Sequence, residues 1–430
     1  MLRSKGKVIP EMNELASSEW LSGPLDVGSG VRRRVSEAYE CLAEREIPVD
    51  YHSWVEQEFG WDLSSEHAGR RIENPWAKAS GQLSMTVRQV SEDVAAGLGY
   101  VVLKTLIAES EDGGRSMSEW ATRESRMQVE PIVSGGGQSG WTVSWRGRGW
   151  SGTFVEYLEL VRESRAVSEG TSTLVIPSVK YHLPEPGETR WLESEYEFTT
   201  AGLLQAWGVD ADSGPMPLEK DFSPTLAGSE RSRVRETVLE WIRRVPGLIR
   251  GSVGPGAVSV GLKIFNTLEE ESFQFELLRS VQEAVGANAA DWWVYGNRLF
   301  DPDREFEGIR GIAYGGWDLS DRNLRVLSKC HAEYGESMGR FAATGNICSG
   351  RMALEYALRG AASFQLHTMF QLPSHHYVLR SGSRTQKALH ELYLHPDDGL
   401  VVWLAHLADR FSLPGDGLRF RDLVGRGRPG

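Results

Sequence analysis

Short runs rich in valine, isoleucine and aromatic residues alternate along this chain with amphipathic stretches. That alternation is typical of parallel βα units and not of a sandwich, whose strands follow one another without helices between them. The runs predict eight strands, at residues 74–80, 100–106, 173–179, 218–223, 258–265, 291–297, 340–346 and 363–369. Eight strands alternating with helices are the content of a (β/α)8 TIM barrel, an α/β fold, and this is the fold class that the pattern predicts.

Apolar stripes at helical spacing lie between these runs. They comprise Val87, Val90, Val94 and Leu98, then Val234, Val238, Ile242 and Val245, then Phe273, Leu277, Leu278, Val281 and Val285. Thr267 and Glu270 have the spacing of a capping box and are expected to begin the last of these helices. A further helix over residues 349–359 is expected to end at Gly360, because glycine readily adopts the left-handed conformation of a C-terminal cap.

The barrel pattern covers residues 71–373 and leaves an extension on each side. Residues 1–70 include a charged helical stretch and predict a helical N-terminal extension, and residues 374–430 predict a helical C-terminal extension. An insertion at about residues 108–152 separates the second and third predicted strands. Because it follows the carboxyl end of a strand, on the face where barrel enzymes hold their active sites, we expect it to cover the site.

The amino-acid composition bears on whether the protein binds nucleic acid, a metal ion or a membrane. The 430 residues include 47 basic and 59 acidic side chains, a formal charge of −12, with no basic tract beyond the three arginines at 32–34, so nucleic acid is not an expected partner. The cysteines Cys41, Cys330 and Cys348 form no CxxC pair, so we expect no metal site. No signal-like apolar run or membrane-spanning stretch is visible, which favours a cytoplasmic protein without a membrane partner; a homodimer is possible.

Three motif matches are set aside on their context. A GxGxxG match at residues 135–140 is followed by WTVSW where a phosphate-binding turn needs a helix, and it indicates a flexible loop. A GxSxG match at residues 335–339 has a predicted helix before it and a strand after it, the reverse of a nucleophile elbow. His390 and His395 of an HExxxH match are five residues apart and point to different helix faces, which indicates a solvated helix end.

Candidate chemistry lies at the carboxyl ends of the predicted strands. Lys104 and Lys263 each close an apolar strand, and a buried lysine is unfavourable without an anion or polar partner, so the pair indicates a site that stabilises negative charge. A pair of structural salt bridges is the equally weighted alternative. The segments TGNICSG and QLHT after the last two strands have the character of a barrel phosphate site, with tight packing turns as the alternative. A phosphate grip beside lysines suits flavin mononucleotide (FMN).

The order of these motifs resembles the dihydroorotate dehydrogenase family. The resemblance covers residues 71–373 and rests on Asn74-Pro75, Ala79-Ser80-Gly81, Lys104-Thr105, DFSPTLAGSE, VGLK, GN, GG, TGNICSGRMALEYALRGA and QLHT. It implies an FMN-binding (β/α)8 barrel related to the flavin domain of dihydropyrimidine dehydrogenase. The implied cofactor-binding residues are Ala79, Ser80, Gly81, Lys104, Lys263, Asn297, Gly315, Gly316, Gly345, Asn346, His367 and Thr368. Ser223, before Pro224, is implied as the catalytic proton carrier beside Lys263, although a serine needs a relay to act as a base.

The implied substrate positions are Lys220, Thr225, Asn297 and Arg146. Lys220 and Thr225 stand where family members that oxidise dihydroorotate use asparagines, and a lysine cannot accept a hydrogen bond, so dihydroorotate itself is not the expected substrate. Arg146, in WTVSWRGRGW, suits an anionic substrate, and a surface hairpin is its equally weighted alternative.

These inferences predict an FMN-dependent oxidoreductase that moves a hydride between flavin and a small anionic or cyclic-amide substrate. Two alternatives stay open: a non-catalytic barrel that acts as a binding or scaffold protein, and a flavin-free lyase in which Lys104 or Lys263 forms a Schiff base. The electron partner is unknown from the sequence; fumarate, NAD(P), a separate reductase and oxygen all remain open.

Overall fold

The computed structural model describes residues 18–44, 50–118, 121, 126–133, 139–146, 149–208, 214–222, 235–267, 269–297, 299–306, 308–315, 317–339, 341–413 and 417–429. Its helices are α1 Ser29–Glu44, α2 Tyr51–Phe59, α3 Val87–Ala95, α4 Phe154–Ser168, α5 Glu193–Trp207, α6 Arg235–Val253, α7 Glu271–Gln282, α8 Trp317–Tyr334, α9 Gly350–Leu358, α10 Arg384–Leu394 and α11 Leu400–Arg410. Among these helices, none combines the length and the apolar character needed to cross a membrane.

The strands are β1 Ser65–His67, β2 Arg70–Ile72, β3 Trp76–Lys78, β4 Tyr100–Val102, β5 Leu106–Ile107, β6 Arg126–Val133, β7 Ser139–Arg146, β8 Leu174–Ile176, β9 Ser178–Lys180, β10 Met216–Asp221, β11 Val258–Phe265, β12 Trp292–Asn297, β13 Leu299–Phe306, β14 Ile309–Gly315, β15 Phe341–Thr344 and β16 Ala361–Leu366. Each of the eight predicted strands overlaps one of them: β3, β4, β8, β10, β11, β12, β15 and β16.

A ten-stranded parallel sheet forms the centre of the protein, in the order β5-β9-β10-β11-β12-β15-β16-β3-β4-β8. The sheet is strongly curled. Gln365 on β16 bonds Glu219 on β10 with 2.7 Å between Nε2 and Oε2, although four positions separate these strands in the sheet. In a flat sheet that separation would be about 19 Å. Helices pack on the outer face, so the architecture is a curled parallel α/β sheet.

The third predicted strand is divided at one residue. Pro177 lies between β8 and β9 and has no N–H to give to a ladder, while its carbonyl accepts from the amide of Glu219 at 3.0 Å. β8 pairs with β4, and β9 pairs with β10, both in parallel. Consecutive pieces of one extended stretch therefore lie near opposite ends of the ten-stranded sheet, one beside the second predicted strand and the other beside the fourth.

The predicted helices lie where the sequence placed them, but one of the two predicted caps is wrong. Ser349 caps α9 by accepting from the amide of Met352, and Gly360 follows the helix with a φ of 110°. The capping box expected at Thr267 is wrong. The helix begins at Glu271, and the amide of Thr267 donates instead to Oε1 of Gln274, 2.9 Å away. This bond between the chain before α7 and the helix itself takes the place of the cap.

The amino-terminal end of the curled sheet is closed by the hairpin of β1 and β2. Ala68 and Ile72 of this hairpin join a buried apolar cluster with Tyr100, Trp292 and Val294. The ring of His67 stacks on Tyr100 with 3.9 Å between ring centres. Because this end is filled with packed side chains, the opposite end, where the strands finish, is left for chemistry.

A second sheet, antiparallel and four-stranded, has the order β13-β14-β7-β6. Its strands β6 and β7 come from the predicted insertion, and WTVSW lies in β7 as a strand. The expected flexible loop of the GxGxxG match falls largely on residues 134–138, outside the described residues. The strands β13 and β14 follow β12 and were not predicted. The β6–β7 and β13–β14 hairpins each follow the carboxyl end of a strand of the main sheet. They pair with each other through β7 and β14.

The chain before α1 is tied to helix α9. Residues 18–21 run across α9, where the amides of Trp20 and Leu21 donate to the carboxylate of Glu355. Glu355 forms an ion pair with Arg359 at 2.6 Å, and both side chains are fully buried. The guanidinium of Arg359 lies 3.7 Å from the ring centre of Trp20. This strap therefore covers a charge pair that would otherwise face solvent.

The HExxxH segment is buried, so the expected solvated helix end is wrong. His390 on α10 has no exposed surface; its Nδ1 lies 2.9 Å from the hydroxyl of Tyr51 and its Nε2 lies 3.0 Å from the carbonyl of Tyr39. Tyr39 also donates to Glu391 at 2.8 Å. Helices α1 and α2 cover this face of α10, an arrangement that no local pattern indicates.

Burial makes His390 a source of acid sensitivity. It lowers the pKa of His390 from 6.5 to about 4. Between these values the unfolded chain binds a proton that the folded chain does not, so stability falls as pH drops, by up to about 3 kcal/mol. We expect the variant His390→Gln to lose less stability between pH 7 and pH 4 than the wild type, as measured by urea unfolding. His67 and Glu391 contribute to the pH dependence of stability in both chains, so their contributions cancel in the comparison. If stability changed equally with pH in the variant and the wild type, this account would be wrong.

Candidate functional site

The structure brings two of the predicted flavin-binding residues together. Ser80 follows β3, and Lys263 lies near the carboxyl end of β11, 183 residues away in the chain. Their side chains meet inside the curl, with Nζ of Lys263 3.4 Å from Oγ of Ser80. Lys263 is 3% exposed. An ammonium group is thus held at the inner surface of the sheet, beside the loop that follows β3.

The same loop contacts two further predicted positions. A Cβ atom at Gly81 would lie 2.6 Å from Cδ2 of His367, so only glycine allows the loop to approach the end of β16 this closely. The amide of Ala79 donates to the carbonyl of Leu366 at 2.9 Å, and the amide of Lys104 donates to the carbonyl of Ser84 at 3.0 Å. The predicted residues on three strands are therefore assembled around residues 79–84.

Lys263 belongs to a buried polar network beneath this loop. Its Nζ donates to Oε1 of Gln365 at 2.9 Å and lies 3.5 Å from Oε1 of Glu219. Gln365 in turn donates to Glu219 at 2.7 Å, and the hydroxyl of Ser178 donates to the same carboxylate at 3.3 Å. Glu219 has no exposed surface. Burial raises the pKa of Glu219, and the neighbouring Lys263 and Gln365 oppose that rise.

A second charge pair lies next to the first. Nζ of Lys180, at the end of β9, is 3.5 Å from Oδ2 of Asp221, which also accepts from the hydroxyl of Thr105 at 3.3 Å. Burial by itself would raise the pKa of Asp221, but the cations Lys180, Lys263 and Lys220 outweigh burial and lower it. Asp221 is consequently held as a carboxylate among lysines.

Lys220 lies apart from these residues. Side chains alternate along a strand, so Lys220 points to the opposite face of β10 from Glu219 and Asp221. It is fully buried, its Nζ lies 3.4 Å from the carbonyl of Asp221, and the ring centre of Phe222 is 4.9 Å away. Burial lowers the pKa of Lys220 to about 7. The substrate role expected of Lys220 stays a prediction, and we leave it out of the proposed site.

The predicted phosphate loop has an unusual backbone. Gly345 has a φ of 106°, and a Cβ there would lie 2.7 Å from Nδ2 of Asn323 and 2.8 Å from the carbonyl of Gly296. Asn346, which replaces the second glycine of the family motif, has a φ of 53°, a left-handed value that asparagine tolerates better than most residues. Within the described part of the chain, Nδ2 of Asn346 is buried without a hydrogen-bond partner.

The first turn of α9 offers fewer free backbone amides than the sequence suggested. The amide of Arg351 donates to the carbonyl of Asp398 at 3.0 Å, and the amide of Met352 donates to Oγ of Ser349 at 3.1 Å. These two amides are therefore already bonded within the protein and are not free to bind an anion.

Several predicted residues lie where their side chains are not described. Ser223, Thr225 and Gly316 fall outside the described residues. Arg146, Asn297 and Gly315 lie in β7, β12 and β14, of which the backbone positions are described. Thr368 follows His367 directly after β16, in a short 3-10 turn. The roles implied for these residues remain predictions.

The sequence analysis missed Lys180, Glu219, Asp221 and Gln365. A signal for them exists in the sequence: polar residues recur at alternate positions near the ends of otherwise apolar strands, as in Glu219 and Asp221 of β10. Such a pattern indicates a polar inner face, but it does not tell which side chains meet.

Comparison with family models and with curated proteins finds no match for this chain. Among the residues that the structure describes, no group of three or more histidine, cysteine, aspartate or glutamate side chains could hold a metal ion. The site is therefore interpreted from its own geometry and from the motif resemblance.

Proposed function

We propose that this chain is an FMN-dependent oxidoreductase, resembling dihydroorotate dehydrogenases, built on a (β/α)8 barrel. The observation that carries the proposal is the contact between Lys263 and Ser80. The family resemblance assigns both residues to the flavin from motifs far apart in the chain. Their meeting at the inner face of the curled sheet is what a shared ligand requires and is not implied by either motif alone.

The barrel part of the proposal rests on strand pairing. β16 pairs with β3, which joins the last predicted strand to the first. If β8 and β9 count as one strand interrupted at Pro177, the pairings with β4 and β10 make a circuit of eight strands. Eight parallel strands with helices outside are the composition of that barrel.

The residues around the loop fit a flavin nucleotide. Nδ2 of Asn346 is buried and unpartnered among the described residues. Gly345 and Gly81 let their loops pack directly against Asn323 and His367, where a Cβ would clash. Lys263 supplies a cation of the kind that flavin binding needs next to the ring. In the proposed arrangement Ala79, Ser80, Gly81, Lys104 and Lys263 hold the ring, and Gly345, Asn346, His367 and Thr368 hold the phosphate.

FMN, when bound, supplies a two-electron centre that exchanges a hydride with the substrate. The protein's part is binding, orientation and charge. Lys263 Nζ holds a positive charge at the ring, and Glu219 and Gln365 fix the direction of that ammonium group. Ser223, two positions after the last residue of β10 in the sequence, is proposed to move the substrate proton, with a relay or water beyond it.

The proposed substrate is small and anionic or a cyclic amide. The ammonium groups of Lys104, Lys180 and Lys263 are buried at or near the carboxyl ends of their strands. Ammonium groups donate hydrogen bonds and cannot accept them, so the complementary ligand is rich in acceptor oxygens. The antiparallel sheet of β6, β7, β13 and β14 follows the same strand ends and is proposed to cover the substrate.

The first test is the visible spectrum of the purified full-length chain, followed by denaturation and chromatography of any released chromophore. We expect flavin absorption bands and stoichiometric FMN. A colourless chain that also fails to take up added FMN would overturn the proposal.

A chain that binds no FMN would leave two alternatives, a Schiff-base lyase and a non-catalytic binding barrel. Borohydride trapping with candidate carbonyl compounds would then separate a Schiff-base lyase, which becomes covalently labelled at a lysine, from a non-catalytic binding barrel, which does not.

A further inference from the structure

The candidate site contains a fully buried carboxylate, Glu219, which pairs with Lys263. Glu219 has no exposed surface, and the ammonium group of Lys263 contacts both residues, 3.5 Å from Oε1 of Glu219 and 3.4 Å from Oγ of Ser80. Because Glu219 is fully buried, it presents no surface to a ligand at the loop. Its effect on such a ligand must pass through the charge and orientation of Lys263.

The carboxylate is held by donors on three sides. Gln365 donates to Oε2 at 2.7 Å, Ser178 donates to Oε1 at 3.3 Å, and Lys263 provides the ion pair. A carboxylate with several donors is fixed in place. Burial raises the pKa of Glu219, and the contacts with Lys263 and Gln365 oppose that rise by favouring the charged form, which acts on the lysine. In a site of low dielectric constant, a negative charge this close offsets much of the field of the ammonium group.

We propose that Glu219 is a positioning residue that weakens the electrostatic pull of Lys263 on the flavin and so makes the bound flavin harder to reduce. The inference rests on the proposed function, because it needs a flavin beside Lys263. Reduction adds negative charge to the flavin, and a lysine cation stabilises that charge. A carboxylate behind the lysine reduces this stabilisation, so the midpoint potential of the flavin is lower than Lys263 alone would set.

The test is a spectroelectrochemical titration of the flavin in the full-length holoprotein. For Glu219→Gln we expect a more positive midpoint potential, with reduced flavin favoured about tenfold relative to the wild type, or about 30 mV for a two-electron couple. Glu219→Asp keeps the charge but withdraws it by one methylene group, so a smaller shift in the same direction is expected. This second variant keeps the inference testable if Glu219→Gln does not fold.

The matched control is Asp93→Asn. Asp93 is also a fully buried carboxylate in an ion pair with a lysine, Lys78, but it lies on α3, and Thr385 of α10 shares the contact. Its variant should leave the potential unchanged. A merely structural role for Glu219 would change flavin content or stability without ordering the potentials as wild type, Asp variant, Gln variant.

The outcomes separate the two proposals. A wild-type chain that binds no FMN overturns the proposed function and this inference together. A wild-type chain with FMN whose potential equals that of Glu219→Gln overturns this inference alone and leaves the proposed function standing.

Discussion

Replacement of Lys263 by methionine is expected to weaken FMN binding by about two orders of magnitude, so that the chain purifies without colour. The variant removes the charged donor that reaches Ser80 and Gln365. It also leaves the fully buried Glu219 without its cation, a change that costs about 3–5 kcal/mol of stability when a buried pair is broken on one side. The measurements are flavin content and titration of the apoprotein with FMN.

The loss of stability must be separated from the loss of binding. The double variant Lys263→Met with Glu219→Gln removes the unpaired carboxylate, so it should regain stability yet remain colourless. Lys78→Met is the matched control, because Lys78 is also buried and paired with a carboxylate, Asp93, but its side chain contacts the helices α3 and α10. Lys78→Met should be destabilised but retain FMN. Normal FMN affinity in the double variant would refute the placement of Lys263 beside the flavin.

Replacement of Glu355 by alanine is expected to reduce the free energy of unfolding by about 3–5 kcal/mol. Glu355 is fully buried, pairs with Arg359, and accepts from the amides of Trp20 and Leu21. Its loss leaves a buried guanidinium without its counter-charge and two strap amides without an acceptor. Urea unfolding at pH 7 measures the difference.

The control for this prediction is an ion pair of the same spacing on the surface. Glu240 and Arg244 on α6 are also four residues apart, but both side chains are about half exposed. Glu240→Ala should change stability by less than about 1 kcal/mol. Glu355→Gln retains an acceptor oxygen for the amides of Trp20 and Leu21, so its loss of stability should lie between those of Glu355→Ala and Glu240→Ala. If Glu355→Ala and Glu240→Ala were equally mild, the strap and the buried pair would contribute no measurable stability.

Much of the secondary structure could be read locally from the sequence. The eight predicted strands and the helices that begin near Val87, Glu271 and Gly350 were found because apolar runs and helical stripes depend on neighbouring residues alone. Predictions that depended on long-range packing were less successful. The cap at Thr267 was displaced by a bond to Gln274, and His390 was buried by α1 and α2. The strands β13 and β14 pair with each other as a hairpin, and they were missed because β13, LFDPDREF, lacks the apolar alternation of a strand.

For the candidate site, the sequence predicted Lys104 and Lys263 from their positions at strand ends, and the motif resemblance implied Ser80, Gly81 and His367. The sequence and the resemblance were insufficient to show that Lys263 reaches Ser80, or that Glu219, Asp221 and Gln365 share the inner face with it. Strand alternation indicates which residues lie on one face, whereas the curl of the sheet decides which of those residues meet. That curl results from the pairing of strands distant in sequence and from helix packing outside, so it exists only in the tertiary structure.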